Sequence, residues 1–126
     1  MKAHTAHRRQ YERRTIDVRV QLVIDEAYLA QVSPVSGESI PGRMTNISGG
    51  GAYVIVPTYV PRSVQVELEI PVGAKLPAGR VRSRVMKVRM VDREPRFGLG
   101  LRFEDTEGDI VRAVRAAEAE AEESGQ

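Results

Sequence analysis

The stretch Asn46-Ile47-Ser48-Gly49-Gly50-Gly51 separates two segments with the composition of β-strands. The strand predicted at about 38–47 runs into it, and the run 52–56 after it is typical of a buried strand. Three consecutive glycines free the backbone from Cβ constraints, so we expect positive φ angles or a close approach to a partner. Asn46 and Ser48 place a carboxamide and a hydroxyl on the same side of an extended segment. The alternative is a plain β-turn whose Asn and Ser bond their own backbone.

The segments around this turn alternate between apolar and polar residues, which is the pattern of half-buried strands. Alternation is cleanest in 15–25 and recurs in 63–70 and 97–103. The segment 80–91 alternates as well, but its apolar phase slips by one residue between Val85 and Met86. A slip of one residue within a strand predicts a β-bulge.

The period changes near the end of the chain. Ile110, Val114, Ala117 and Ala121 fall at i, i+4, i+7 and i+11, which predicts one face of a helix. Six short strands and one terminal helix predict an all-β fold, a small six-stranded antiparallel β-barrel with a C-terminal α-helix. We divide the chain into a flexible basic arm at 1–8, a barrel domain at 9–106, and the helix with an acidic tail at 107–126.

Charge is distributed unevenly over the 126 residues, although the net charge is only +2. Residues 1–14 hold five basic side chains and one acid, whereas residues 104–126 hold eight acids and two arginines. A basic arm suggests an anionic partner. The N-terminus lacks the apolar core of a signal peptide, and no run is long enough to span a bilayer, so we expect a cytoplasmic protein that does not enter the membrane.

The sequence offers little material for catalysis or metal binding. It contains no cysteine, and its two histidines, His4 and His7, both lie in the basic arm without a carboxylate or third histidine as companion ligand. No HExxH, Walker A or GxSxG signature occurs. We therefore predict that the protein is not an enzyme and holds neither a metal ion nor a cofactor.

The second conspicuous motif is Arg8-Arg9-Gln10-Tyr11-Glu12-Arg13-Arg14, directly before the first strand. Arginine suits planar anions, because its guanidinium group forks onto phosphate or the guanine edge and stacks on aromatic faces. Two arginines four apart on an arm could close over a flat, doubly charged ligand. The same spacing recurs at Arg80/Arg84 and Arg89/Arg93, where we expect a solvated strand face.

The two motifs in this order, separated by an alternating strand, resemble the PilZ domain family. The segment 97–103 also resembles the family's last strand, so the resemblance covers about residues 8–103, and every motif position is matched. The matching residues are Arg9, Tyr11 and Arg13 in the arm, and Asn46, Ser48 and Gly51 in the turn.

This resemblance implies a PilZ-type split barrel and a receptor for the bacterial second messenger cyclic di-GMP. In this family the surface at Asn-x-Ser-x-x-Gly contacts a guanine, and the arginine arm grips guanines and phosphates. Asn46 and Ser48 would then read the guanine edge, and Gly51 would let the ligand approach the backbone. The ligand-binding residues that we derive from the resemblance are Arg8, Arg9, Arg13, Arg14, Asn46, Ser48, Gly50 and Gly51.

Two other functions stay open at this stage. The first is a PilZ-like adaptor that binds a protein and not the nucleotide. The second is a nucleic-acid-binding barrel, which the sequence pI of 9.2 favours. The low number of aromatic residues argues against it, because single-strand binders stack bases on exposed aromatic side chains. The chain has only six, and Phe97 and Phe103 have the positions of core residues. Since we find no output domain, we expect a receptor to act through a downstream protein, as a monomer or a homodimer.

Overall fold

In a computed structural model, which describes residues 14–31, 39–74, 76–94, 96–105 and 108–124, the chain forms a closed antiparallel barrel of six strands and one α-helix. The strand order around the barrel is β1-β2-β3-β6-β5-β4, and β4 pairs with β1 to close it. This confirms the predicted fold. The elements are β1 (Arg14–Ile24), β2 (Ser39–Ile47), β3 (Gly51–Val56), β4 (Gln65–Ile70), β5 (Gly79–Asp92), β6 (Arg96–Phe103) and α1 (Asp109–Ser124).

The apolar residues of the alternating strands fill the barrel interior. In β3 and β4 every second side chain is buried, as the period of two predicts. β1 contributes Val20, Leu22 and Ile24, whereas Ile16 and Val18 pack against the core with partial exposure. Phe103 is buried and Phe97 packs against the core, which confirms their predicted core positions.

A bulge in β5 lies where the sequence predicted it. Val85 pairs with Leu101 and Lys87 pairs with Gly100, so Met86 is the extra residue. Beyond the bulge Val88 packs against the core, while Met86 and Met90 are exposed, by 40% and 61% of their surfaces. The shift also places Lys87 and Arg89 on the outer face of the barrel, opposite two glycines of β6.

The first strand begins beside the glycine turn. Arg14 pairs with Ile47 and Thr15 with Asn46, so the chain enters the barrel next to the end of β2. Between β1 and β2 the chain forms a 3-10 helix at Glu26–Gln31. The turn predicted at residues 34–37 lies outside the described residues.

The C-terminal helix packs against the barrel with its first turns. Ile110, Val111 and Val114 are buried, which confirms Ile110 and Val114 as part of an inward face, and Ala117 is half-buried. The side chain of Ala121 lies outside the described part. Among the described residues, no helix combines the length and apolar character that crossing a bilayer requires.

Ion pairs join neighbouring strands on the outer face. Arg43 binds Asp17 through two hydrogen bonds of 2.7 and 2.9 Å, and this contact lowers the pKa of Asp17. Arg84 donates from Nε to Oε2 of Glu104 at 2.7 Å, and Gln65 donates to Oε1 at 2.8 Å. These bonds to the ionised carboxylate, with that from Arg84 first, lower the pKa of Glu104 from its ordinary value of 4.5.

We expect Glu104→Gln to cost about 1–2 kcal/mol of unfolding free energy at pH 7, because it removes a charge-assisted hydrogen bond in a partly buried site. The folded protein holds the carboxylate in its ionised form, so this stabilisation is complete above pH 4.5 and declines as the pH falls through the lowered pKa. Urea unfolding at several pH values should show the two proteins converging in acid. Glu94→Gln, an exposed change outside this network, is the matched control; a difference that persists unchanged in acid would contradict the assignment.

Candidate functional site

The turn between β2 and β3 is held by its own hydrogen bonds. The Ser48 backbone N–H donates to the Gly51 carbonyl at 2.8 Å, and the Gly50 N–H donates to Ser48 Oγ at 3.2 Å. From the neighbouring strand β6, the Phe103 N–H donates to the Gly50 carbonyl at 2.9 Å. The Ser48 hydroxyl is therefore bonded to the local backbone, as the alternative of a plain β-turn predicts.

The last glycine of this turn, Gly51, serves a close approach. The described residues with positive φ are Ser63, Gly73 and Gly79, so the turn does not use the positive φ that its glycines permit. At Gly51, an added Cβ would lie far under 3.0 Å from the Leu101 carbonyl oxygen and 3.1 Å from its carbon. The missing side chain at residue 51 lets β3 approach β6, and that contact belongs to the fold.

A depression of about 350 Å³ opens beside the turn on the outer face of four strands. Its floor follows one cross-strand row, in which Asn46 pairs with Tyr53, Tyr53 with Gly100, and Gly100 with Lys87. Because neighbouring strands are about 4.8 Å apart, the row spans about 14 Å from β2 to β5. The depression therefore has the polar side chain of the turn motif at one end and a lysine at the other.

Glycines on the floor and cations at the side determine the shape and charge of this depression. Gly100 leaves the floor low, and at Gly98 the Tyr53 hydroxyl occupies the space that a Cβ would take. Lys87, Arg89 and Arg102 line the depression and are exposed. Such a surface, flat and flanked by cations, suits a planar anion.

The structure brings together half of the predicted ligand-binding residues. Asn46, Ser48, Gly50 and Gly51 all line the depression. The backbone of Arg14 lies in β1 beside Ile47, and its side chain is not described. Arg8, Arg9 and Arg13 lie outside the described residues, so their placement stays a prediction, as do the roles of all eight.

Sequence reasoning did not select the far side of the depression. Tyr53, Lys87 and Arg102 were not singled out, and Arg89 was assigned to a solvated face. The available signals were the Gly98-x-Gly100 spacing, which places two glycines on one strand face, and the phase slip before Lys87. Neither signal shows that β6 and β5 lie next to the turn, because strand order depends on contacts between residues that are distant in sequence.

Two wider depressions are less suited to an anion. One of about 730 Å³ lies between β1, the β4–β5 connection and α1, and its lining includes the apolar Pro71, Val72 and Leu76. The other, about 870 Å³ over β1 to β3, contains Arg43 and Arg96, whose charges are already compensated by Asp17 and Asp92. The smaller depression is the one that brings three exposed cations together, Lys87, Arg89 and Arg102.

The described part of the chain contains no cluster of three or more His, Cys, Asp or Glu residues that could hold a metal ion. His4 and His7 lie outside it. The described site thus offers hydrogen-bonding groups, aromatic surface and positive charge.

The fold and the depression define a small antiparallel β-barrel with a cationic surface site beside its first hairpin. The chain belongs to the PilZ family, a family of cyclic di-GMP receptors: the PilZ domain model matches residues 7–117. It is similar in fold to the structure titled PilZ domain with c-di-GMP of YcgR from Escherichia coli, with 14% identity, a TM-score of 0.58 and 94% of both chains covered.

A second similar structure is that of YcgR in complex with c-di-GMP, also from Escherichia coli, with the same identity and TM-score. The match covers 94% of this chain and 49% of that one, so the chain spans about half the length of that protein. A comparison with curated protein sequences found no match. At this identity the structural likeness shows the fold.

Proposed function

We propose that this chain is a non-enzymatic receptor for cyclic di-GMP and that the ligand binds over the depression beside the glycine turn. The observation that carries the proposal is the single cross-strand row with Asn46 at one end and Lys87 at the other, over a floor without side chains at Gly100. Membership of the PilZ family supports the identity of the ligand.

The position of the start of β1 supports a role for the arginine arm in the site. Arg14 pairs with Ile47, next to Ser48, so the arm joins the barrel beside the turn. Arg9 precedes Arg14 by five residues, and an extended chain of that length reaches at most about 17 Å. From β1 this reach extends over β2, β3 and β6, so Arg9 and Arg13 could close over a ligand that rests on the floor of the depression.

We assign the contacts by chemistry. A cyclic dinucleotide offers two phosphates and two guanine faces, which match the charge, fork and stacking plane of arginine. Asn46 would read a guanine edge with its amide, and Gly50 and Gly51 would let the base approach the backbone. Binding would order the arm and so change the surface that a downstream protein contacts.

Isothermal titration of the purified chain with cyclic di-GMP tests the proposal, with GTP and a short single-stranded RNA as controls. Saturable binding of cyclic di-GMP alone, at micromolar concentration or below, is the expected result. Tighter binding of RNA would overturn the proposal in favour of a nucleic-acid-binding barrel.

One observation favours a second candidate, an adaptor that binds protein and not the nucleotide. Ser48, Gly50 and Gly51 each have a role in the hairpin and barrel closure without any ligand. Their presence is therefore compatible with a fold that has lost the nucleotide. Absence of heat with all three titrants would support this adaptor and exclude the receptor.

We expect Ser48→Ala to weaken cyclic di-GMP binding by no more than about tenfold and to cost about 1 kcal/mol of stability, the value of one hydrogen bond. The loss of stability follows from the Gly50 N–H, which donates to Ser48 Oγ in the turn. Titration and urea unfolding of the same variant measure both effects. Ser39→Ala, at the opposite end of β2 and also engaged through its hydroxyl, is the matched control; unchanged stability of the Ser48 variant would contradict the observed turn.

A further inference from the structure

Several cations on the outer face of the barrel have an acidic partner. Arg43, Arg80, Arg84 and Arg96 each lie in an ion pair. Arg102, on β6, has only a contact of 4.0 Å with Glu104. Within the described ranges, neither Lys87 nor Arg89 has an acidic side chain within ion-pair distance.

The positions of these two side chains explain why they remain unpaired. Their cross-strand neighbours on β6 are Gly100 and Gly98, which offer neither a carboxylate nor any side chain to cover them. The bulge at Met86 sets this register, since it turns Lys87 and Arg89 outward while Val88 faces the core. Two exposed positive charges therefore stand together over the glycine floor of the depression.

We propose that Lys87 and Arg89 form a second cationic wall, which contacts the phosphate of the cyclic dinucleotide that faces away from the arginine arm. This inference rests on the proposed function and adds to it a reason why the site would bind a cyclic dinucleotide in preference to a guanine mononucleotide. The wall stands three strand spacings, or about 14 Å, from Asn46, and the arm enters the barrel one strand further away, on β1. A cyclic dinucleotide carries phosphates on opposite sides of one ring and can contact both walls, whereas a guanine mononucleotide can reach only one.

The test compares the double variant Lys87→Gln/Arg89→Gln with the unchanged protein by isothermal titration with cyclic di-GMP and with GMP. We expect the double variant to lose about tenfold to hundredfold affinity for cyclic di-GMP and to depend less steeply on ionic strength. The ratio of the affinities for cyclic di-GMP and GMP should also be smaller in the double variant than in the unchanged protein. Both side chains are exposed and unpaired, so the melting temperature should stay unchanged.

Arg62→Gln/Arg82→Gln is the matched control, because it also removes two exposed arginines that have no ion pair in the described part of the chain and lie outside the depression. An affinity of the Lys87/Arg89 variant within about twofold of the unchanged protein would overturn the second wall and leave the receptor intact. An equal loss in Arg62→Gln/Arg82→Gln would also overturn it, since net charge would then account for the effect. Failure of the unchanged protein to bind cyclic di-GMP would instead overturn the proposed function itself.

Discussion

Replacing Gly51 with alanine is expected to lower the melting temperature by roughly 10 °C or more, corresponding to about 3 kcal/mol of overpacking. The added Cβ would lie far inside 3.0 Å of the Leu101 carbonyl oxygen. That oxygen belongs to the backbone of β6 and has no rotamer by which to move away. β3 and β6 would have to separate beside the Gly50 carbonyl, which accepts the Phe103 N–H. Thermal and urea unfolding of the variant measure the cost.

Gly100→Ala provides a matched control in the facing strand. A Cβ at residue 100 would meet Lys87 Cβ at 3.4 Å, an ordinary van der Waals contact. The same chemical change should therefore leave the melting temperature within a few degrees of that of the unchanged protein. Equal melting temperatures for the Gly51 and Gly100 variants would show that β3 and β6 do not depend on the missing side chain at residue 51.

The contrast between these two glycines shows how far sequence reasoning reaches. The barrel strands could be predicted because alternation is local: the pattern of residues 63–70 is enough to assign the inward face of β4. The bulge in β5 was predictable for the same reason, since it shifts the phase of neighbouring residues. The close contact of Gly51 with Leu101 could not be predicted from the sequence, because it depends on which strand lies beside β3.

The same limit applies to the candidate site. The turn motif names Asn46 and Ser48 directly, and both line the depression. Lys87 lies 41 residues after Asn46 in the chain, and only the register of four strands brings the two into one row. Arg89 was assigned to a solvated face, and its side chain is exposed. That it also lines the depression depends on the strand order, which the sequence does not show. The pairing of other cations, such as Arg80 with Glu67, becomes visible only in the folded barrel.

The prediction with the largest effect on ligand binding concerns the arm. Arg9→Ala or Arg13→Ala is expected to weaken cyclic di-GMP binding by at least about a hundredfold, because each guanidinium would supply charge-assisted, forked hydrogen bonds that alanine cannot replace. Titration of each variant measures the loss. Arg62→Ala removes an equal charge between β3 and β4, at the opposite end of the barrel from the turn, and should bind like the unchanged protein.

The ligand-free melting temperature separates a binding role of the arm from a structural one. The buried core is formed by the barrel strands, the β3–β4 connection and α1, so we expect the Arg9 and Arg13 variants to melt with the unchanged protein. In the presence of saturating cyclic di-GMP the unchanged protein should melt higher, since a ligand that binds only the folded state stabilises it, and the variants should lose that increase. If either variant melts lower without ligand, the arm is part of the fold and its loss weakens binding indirectly. If both melt normally and still bind, the depression holds the nucleotide without the arm, and the cations of β5 become the main contacts of its phosphates.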